Sequence, residues 1–227
     1  MEHGFAWMSF VPGLEPHTAT AFLVMAGLLI FAFRARAQLA AASDPTIPDA
    51  SLSARNAAEV VTEFIGNLGE SIIGPGSEKY VPFFGSLFIF ILASNLMGLV
   101  PGMTPPTDNF NVTLALGVVS FAVYNYYGIR EHGAAYLKQF MGPLLLLAPL
   151  MIIVELFSHA FRPASLAIRL YGNMFADHLL LGIFTDLTKL VIPVVFYVLG
   201  TFVSLVQATV FTLLSMVYVG LAISHDH

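Results

Sequence analysis

The stretch LVIPVVFYVLGTFVSLVQATVFTLLSMVYVGLAIS, residues 190–224, carries no Asp, Glu, Lys or Arg. As a helix rising 1.5 Å per residue, these 35 residues would extend about 52 Å, against a bilayer hydrocarbon core of about 30 Å. The rest of the chain has the same character: of its 227 residues, 57% are hydrophobic and 10% are charged. A soluble domain averages roughly 25% charged residues, and a globule with so few could not cover its own surface. Further uncharged runs occupy 16–33, 109–129 and 139–154. A spanning helix needs about 20 mostly apolar residues. The sequence therefore predicts an all-α polytopic membrane protein with about five membrane helices and one interfacial amphipathic helix.

Composition also removes other classes. The formal net charge is −5 and no basic cluster exceeds two residues, which argues against a nucleic-acid partner. The chain has no cysteine, so disulfide, thiolate and cluster chemistry are excluded. Strands of alternating polarity at barrel length are not found. The first apolar run is followed, rather than preceded, by Arg34 and Arg36, so it reads as an uncleaved anchor.

Along the chain, an N-terminal membrane helix is predicted over 17–37. Arg34 and Arg36 place its end in the cytoplasm by the positive-inside bias and leave the N-terminus outside. A polar loop with Pro45 and Pro48 follows. In 53–73, Arg55, Glu59, Glu63 and Asn67 recur every four residues, while Val60, Val61, Phe64, Leu68 and Ile72 gather on another face. This is an amphipathic helix, with Arg55–Glu59 as an i,i+4 pair, too polar to span and suited to the interface. Residues 80–129 form a helical hairpin whose Pro/Gly/Asp-rich tip, 101–109, faces outside. Lys79, Arg130 and Lys138 then fall on the cytoplasmic side and Lys189 outside. Asn95 and Asn125 within the hairpin are expected to hydrogen-bond between helices.

The last third, 144–224, exceeds what upright spans can hold. Either each long stretch breaks into two arms or both are long, strongly tilted helices. With no turn signal near Phe211, the second reading is preferred, with a hairpin turn at 186–189. In the first stretch Glu155, Arg162 and Arg169 are seven residues apart and project from one helix face. Ser158, Ser165 and Asn173 lie within about 40° of that stripe. A charge at mid-membrane costs at least about 2.5–3.5 kcal/mol, so the stripe should border water, protein or an ion route. Arg162 could instead pair with Glu155 or snorkel. Arginine cannot relay protons by losing one, but it can act as a fixed positive charge.

Here the sequence becomes familiar. SLAIRLYGNMFADH, residues 165–178, resembles the signature of subunit a of the F-type ATP synthases, bacterial type. Residues 207–218 resemble its last helix, and NLMGLVP (95–101) with PTDNFNVT (106–113) resemble its hairpin. The likeness runs from about residue 55 onward. It implies two tilted helices facing a rotating ring of c subunits, with Arg169 as the family's essential arginine. Asn173, Gln207 and Tyr218 match polar and aromatic neighbours. Glu155 matches a carboxylate near the cytoplasmic access route, and His178 stands in the external one. With an unperturbed pKa near 6.5, histidine suits a relay; a lone intramembrane histidine can also be only a helix contact.

The chain departs from the family at Gly200, where many members carry a titratable residue, and has an acid at Asp177, where those members often have glycine. Asp177 is therefore the candidate to supply the missing carboxylate. The implied partners are the c-ring, the peripheral-stalk b subunits, the remaining subunits and the lipid bilayer. The implied location is the bacterial inner membrane, with the C-terminus cytoplasmic. No phosphate-cradling Gly-rich loop occurs, and neither cofactor nor metal is expected. Two rival readings carry less. A self-contained ion-coupled transporter would show internal repeats, and none is seen. An intramembrane hydrolase would need more than the Glu-x-x-x-His of Glu155 and His159.

Overall fold

The computed structural model describes residues 7–10, 13–42, 49, 53–133, 136, 148–188 and 191–224. Over these it is helical, with α1 (Pro16–Ala41), α2 (Ala54–Ile72), α3 (Val81–Met97), α4 (Phe110–His132), α5 (Ala148–Leu187) and α6 (Val191–Ile223). Among the described residues, five stretches are long and apolar enough to cross a membrane: Pro16–Ala41, Ser77–Met97, Phe110–His132, Leu150–Thr185 and Pro193–Ile223. The chain is an all-α multi-pass membrane protein. Pro45, Pro48, Lys138, Lys189 and positions 144–147 lie outside the described residues.

Local chemistry sets the helix ends. Pro16 opens α1 with its fixed φ, where the missing N–H is not needed. The Ser53 hydroxyl accepts from the Asn56 N–H at 3.2 Å and caps α2. The Asn109 side chain accepts from the Asn111 N–H at 2.9 Å and caps α4. A 3-10 turn, Ser77–Tyr80, leads into α3, so that span begins slightly before the predicted boundary.

The last two helices decide the architecture. Both run unbroken, 40 residues in α5 and 33 in α6, roughly 60 and 50 Å at 1.5 Å per residue. Of the two readings of this region, continuous helices are correct. Pro163 sits inside α5 without ending it, although proline removes a helix hydrogen bond. At that level α4 comes unusually close, because a Cβ on Gly117 would stand 2.6 Å from the Pro163 carbonyl oxygen.

The core lies where α3, α4, α5 and α6 meet. Phe84, Ile91, Tyr124, Leu170, Phe211 and Met216 are its large buried side chains. Ser120 of α4 donates to Ser215 of α6 at 2.8 Å. Asn95 Nδ2 donates to the Ser204 carbonyl at 3.5 Å, and Asn95 Oδ1 accepts from Thr107 at 2.8 Å. Asn95 thus ties α3 to α6, the interhelical role expected of it from sequence, because an amide in hydrocarbon must find a partner within the protein.

Amphipathic α2 packs along α1, α3 and α6. Arg55, 3% exposed, holds Glu59 at 2.6 Å and Asp49 at 3.3 Å. The buried face is rotated from the one expected: Ile65 is fully buried, whereas Val60 is 65% exposed. Val61, Leu68 and Ile72 do pack on the core, so its centre lies nearer Ile65 than Val60.

Candidate functional site

Leu166, Ala167, Leu170 and Met174 are the buried positions that anchor α5 against the bundle. Their spacing of three and four residues defines an inward stripe. Off that stripe, Arg169, Asn173 and Ser165 are all exposed. Arg169 sits near the middle of α5, beside Ile168, which is 58% exposed. Among the described residues, no carboxylate lies within ion-pair distance of it. One turn on, Asn173 Nδ2 donates to Gln207 Oε1 at 2.7 Å. Gln207 is 4% exposed, so this bond fixes the register of α5 on α6 beside the arginine.

Towards the N-terminal end of α5, Arg162 Nη2 lies 3.7 Å from Glu155 Oε1. Its guanidinium also lies 5.9 Å from the centre of the Tyr124 ring and 5.5 Å from that of Tyr218, within cation–π range. Arg162 and Arg169 share a helix face by spacing, yet their surroundings differ. Tyr124 of α4 and Tyr218 of α6 close over Arg162, and Arg169 remains uncovered. Pairing with Glu155, one of two readings open for Arg162, is what the structure has. Ser158 is exposed.

Beside that pair is a second polar group. His159, 7% exposed, approaches Asn125 Oδ1 through Nε2 at 2.9 Å. The same amide oxygen accepts from the Tyr136 hydroxyl at 3.1 Å. The His159 ring meets Phe121 and Tyr124 edge-on, with centroids 5.3 and 5.1 Å apart. Burial raises the Tyr136 phenol above its ordinary pKa, against the lowering effect of Arg162, so it stays a neutral donor. Sequence reasoning read His159 only against a hydrolase motif.

At the C-terminal end of α5, Asp177 and His178 point to different neighbours. A Cβ on Gly200 would stand 2.8 Å from Asp177 Oδ2 and 2.8 Å from Leu99 Cδ2. The carboxylate thus occupies the space that a side chain at position 200 would need. His178 Nδ1 lies 3.0 Å from Asp108 Oδ2, on the loop between α3 and α4. Asp108 was not singled out from sequence. Its partner is 70 positions away, and no local pattern signals that.

The predicted site residues therefore form three groups along α5 and α6. Arg162 meets Glu155 and Tyr218 at one end, Asn173 meets Gln207 one turn from Arg169 at the centre, and Asp177 and His178 follow towards the other end. The chemistry available is that of a fixed cation between two sets of titratable or hydrogen-bonding groups.

Comparison with known proteins gives this arrangement a context. The sequence profile of the family described as "ATP synthase A chain" matches residues 18–220. A protein named ATP synthase subunit a from Bdellovibrio bacteriovorus is 46% identical over 227 aligned residues, covering 98% of this chain and 99% of the relative. ATP synthase subunit a 1 from Syntrophotalea carbinolica is 41% identical over 173 residues, covering 76% and 74%. ATP synthase subunit a from Citrifermentans bemidjiense is 38% identical over 206 residues, covering 91% and 86%.

Proposed function

We infer the function from the premise that this chain belongs to the ATP synthase A chain family. It is the stator subunit of the Fo proton channel of a bacterial ATP synthase. It is not catalytic by itself, and nucleotide chemistry belongs to partner subunits. It faces the c-ring, is held by the peripheral-stalk b subunits and lies in the inner membrane.

The observation that carries this reading is Arg169. Arginine carries a fixed positive charge, and a charge at the centre of a spanning helix costs at least about 2.5–3.5 kcal/mol. In this chain Arg169 is exposed halfway along a spanning helix, with no carboxylate partner among the described residues. An anion from another subunit must meet it. A carboxylate carried past on a ring of c subunits satisfies that need once per step.

The mechanism follows from the order of groups. A proton enters from outside through His178, Asp177 and Asn173 and neutralises a ring carboxylate, which then turns through lipid. On its return the carboxylate gives the proton to the cytoplasmic route near Glu155, with Ser158, Arg162 and Tyr218 around it. Ser165 and Gln207 flank the arginine. Arg169 keeps the two routes apart and favours the ionised carboxylate between them. A potential of 100 mV supplies about 2.3 kcal/mol per charge moved.

The geometry supports the orientation. Arg34, Arg36, Arg55, Lys79 and Arg130 fall on one side of the five spans and are assigned to the cytoplasm. The α3–α4 loop then lies outside, and it is this loop that reaches His178. In reconstituted vesicles, Arg169→Ala should abolish coupled ATP synthesis while the complex still assembles. Arg169→Lys should not restore it, because a compact ammonium lacks the fork geometry. Normal synthesis by either variant would overturn the assignment.

A further inference from the structure

Asp108 belongs to a loop that is built rather than merely connecting. Its 3-10 turn, Pro106–Asp108, is stiffened by Pro105 and Pro106 and closed by the Asp108 N–H donating to the Pro105 carbonyl at 3.1 Å. The next residue inward, Thr107, is fully buried and bonds Asn95 of α3. Asn109 on the other side caps α4. Between these fixed points the Asp108 side chain is held 13% exposed, with Oδ2 3.0 Å from His178 Nδ1. Its Oδ1 is enclosed and has no hydrogen-bond partner among the described residues.

We propose that Asp108 is a positioning residue of the external proton route, acting through His178. This rests on the proton-path reading above and deepens it. In this proposal Asp108 acts as an ionised carboxylate, which only accepts hydrogen bonds, and the His178 Nδ1 at 3.0 Å is then the donor. That fixes the tautomer and leaves Nε2 as the nitrogen with the free lone pair. A proton arriving from outside binds at Nε2 to give the imidazolium. It leaves from Nε2 to the next acceptor, and the ring returns to neutral with Nδ1–H still held by Asp108. No atom is consumed, and the charge of Asp108 offsets the imidazolium during transfer. The loop thus delivers a carboxylate to His178, a second acid beside the one at Asp177.

The test uses the whole membrane sector in vesicles, with the nucleotide-bearing part removed, and reads passive proton flux started from the external side. Asp108→Asn keeps the shape and loses the charge. Its flux should fall about ten- to a hundredfold, the range set by the difference a charged acceptor makes to a hydrogen bond. Asp108→Glu should recover most of it. Adding Asp108→Asn to His178→Gln should lower flux no further, because the residue acts through the ring. Unchanged flux in Asp108→Asn, no recovery with Glu, strict additivity with His178→Gln, or failure of Asp108→Asn to assemble would each overturn the proposal. If the unaltered complex passes no protons, the proton-path reading fails instead.

Discussion

At Gly200 the absence of a side chain and the presence of one at Asp177 describe a single space. A Cβ at 2.8 Å from both Asp177 Oδ2 and Leu99 Cδ2 cannot be accommodated without movement. The acid on α5 therefore fills the place where a side chain on α6 would otherwise project. Asp177→Gly should sharply reduce passive proton flux, since it removes the carboxylate that meets Gly200. Gly200→His alone should also reduce it, because the new side chain collides with Asp177. Combined, the two should partly restore flux, with a coupling of about 1.4 kcal/mol, or tenfold. Additive losses in assembled complexes would make Asp177 a structural acid. The departure from the family pattern paired Asp177 with position 200. That a carboxylate oxygen fills the missing side chain's volume could be seen only with α6 packed in place.

Between elements, the contact of α4 with α5 rests on backbone approach. Lipid gives no hydrophobic reason for two apolar helices to associate, so small residues that allow close packing decide where they meet. Gly117 is such a residue, set against the carbonyl of Pro163 at a distance that leaves no room for a methyl group. Gly117→Ala should push α4 outward and cost about 1–3 kcal/mol, as overpacking does. A lowered thermal midpoint of the detergent-solubilised complex would register this, and an unchanged midpoint would show that the contact relaxes freely. The same packing brings Asn125 to His159 and Tyr124 over Arg162. The sequence marked Asn125 as an interhelical amide but not its partner, because a spacing of 34 residues carries no periodic signal.

For the whole molecule, the proposed orientation rests on two things: the five candidate spans, an odd number, and the basic residues, which the positive-inside bias assigns to the cytoplasm. The chain has no cysteine, so single replacements report sidedness without background. Leu14→Cys should react with a membrane-impermeant maleimide only from outside, and Ser224→Cys only from the cytoplasmic side; the reverse pattern would invert both half-channels. The sequence by itself determined the class of protein, the spanning segments and the arginine motif. Those depend on run length against a fixed bilayer thickness and on residues adjacent along the chain. Only the tertiary structure decided which polar groups meet: Asp108 with His178, His159 with Asn125, and Arg162 between two tyrosines while Arg169 stays uncovered. In a bilayer, side chains facing lipid and side chains facing another helix are equally apolar. Hydrophobic pattern therefore cannot tell the two apart, and the packed helices alone fix which face is turned inward.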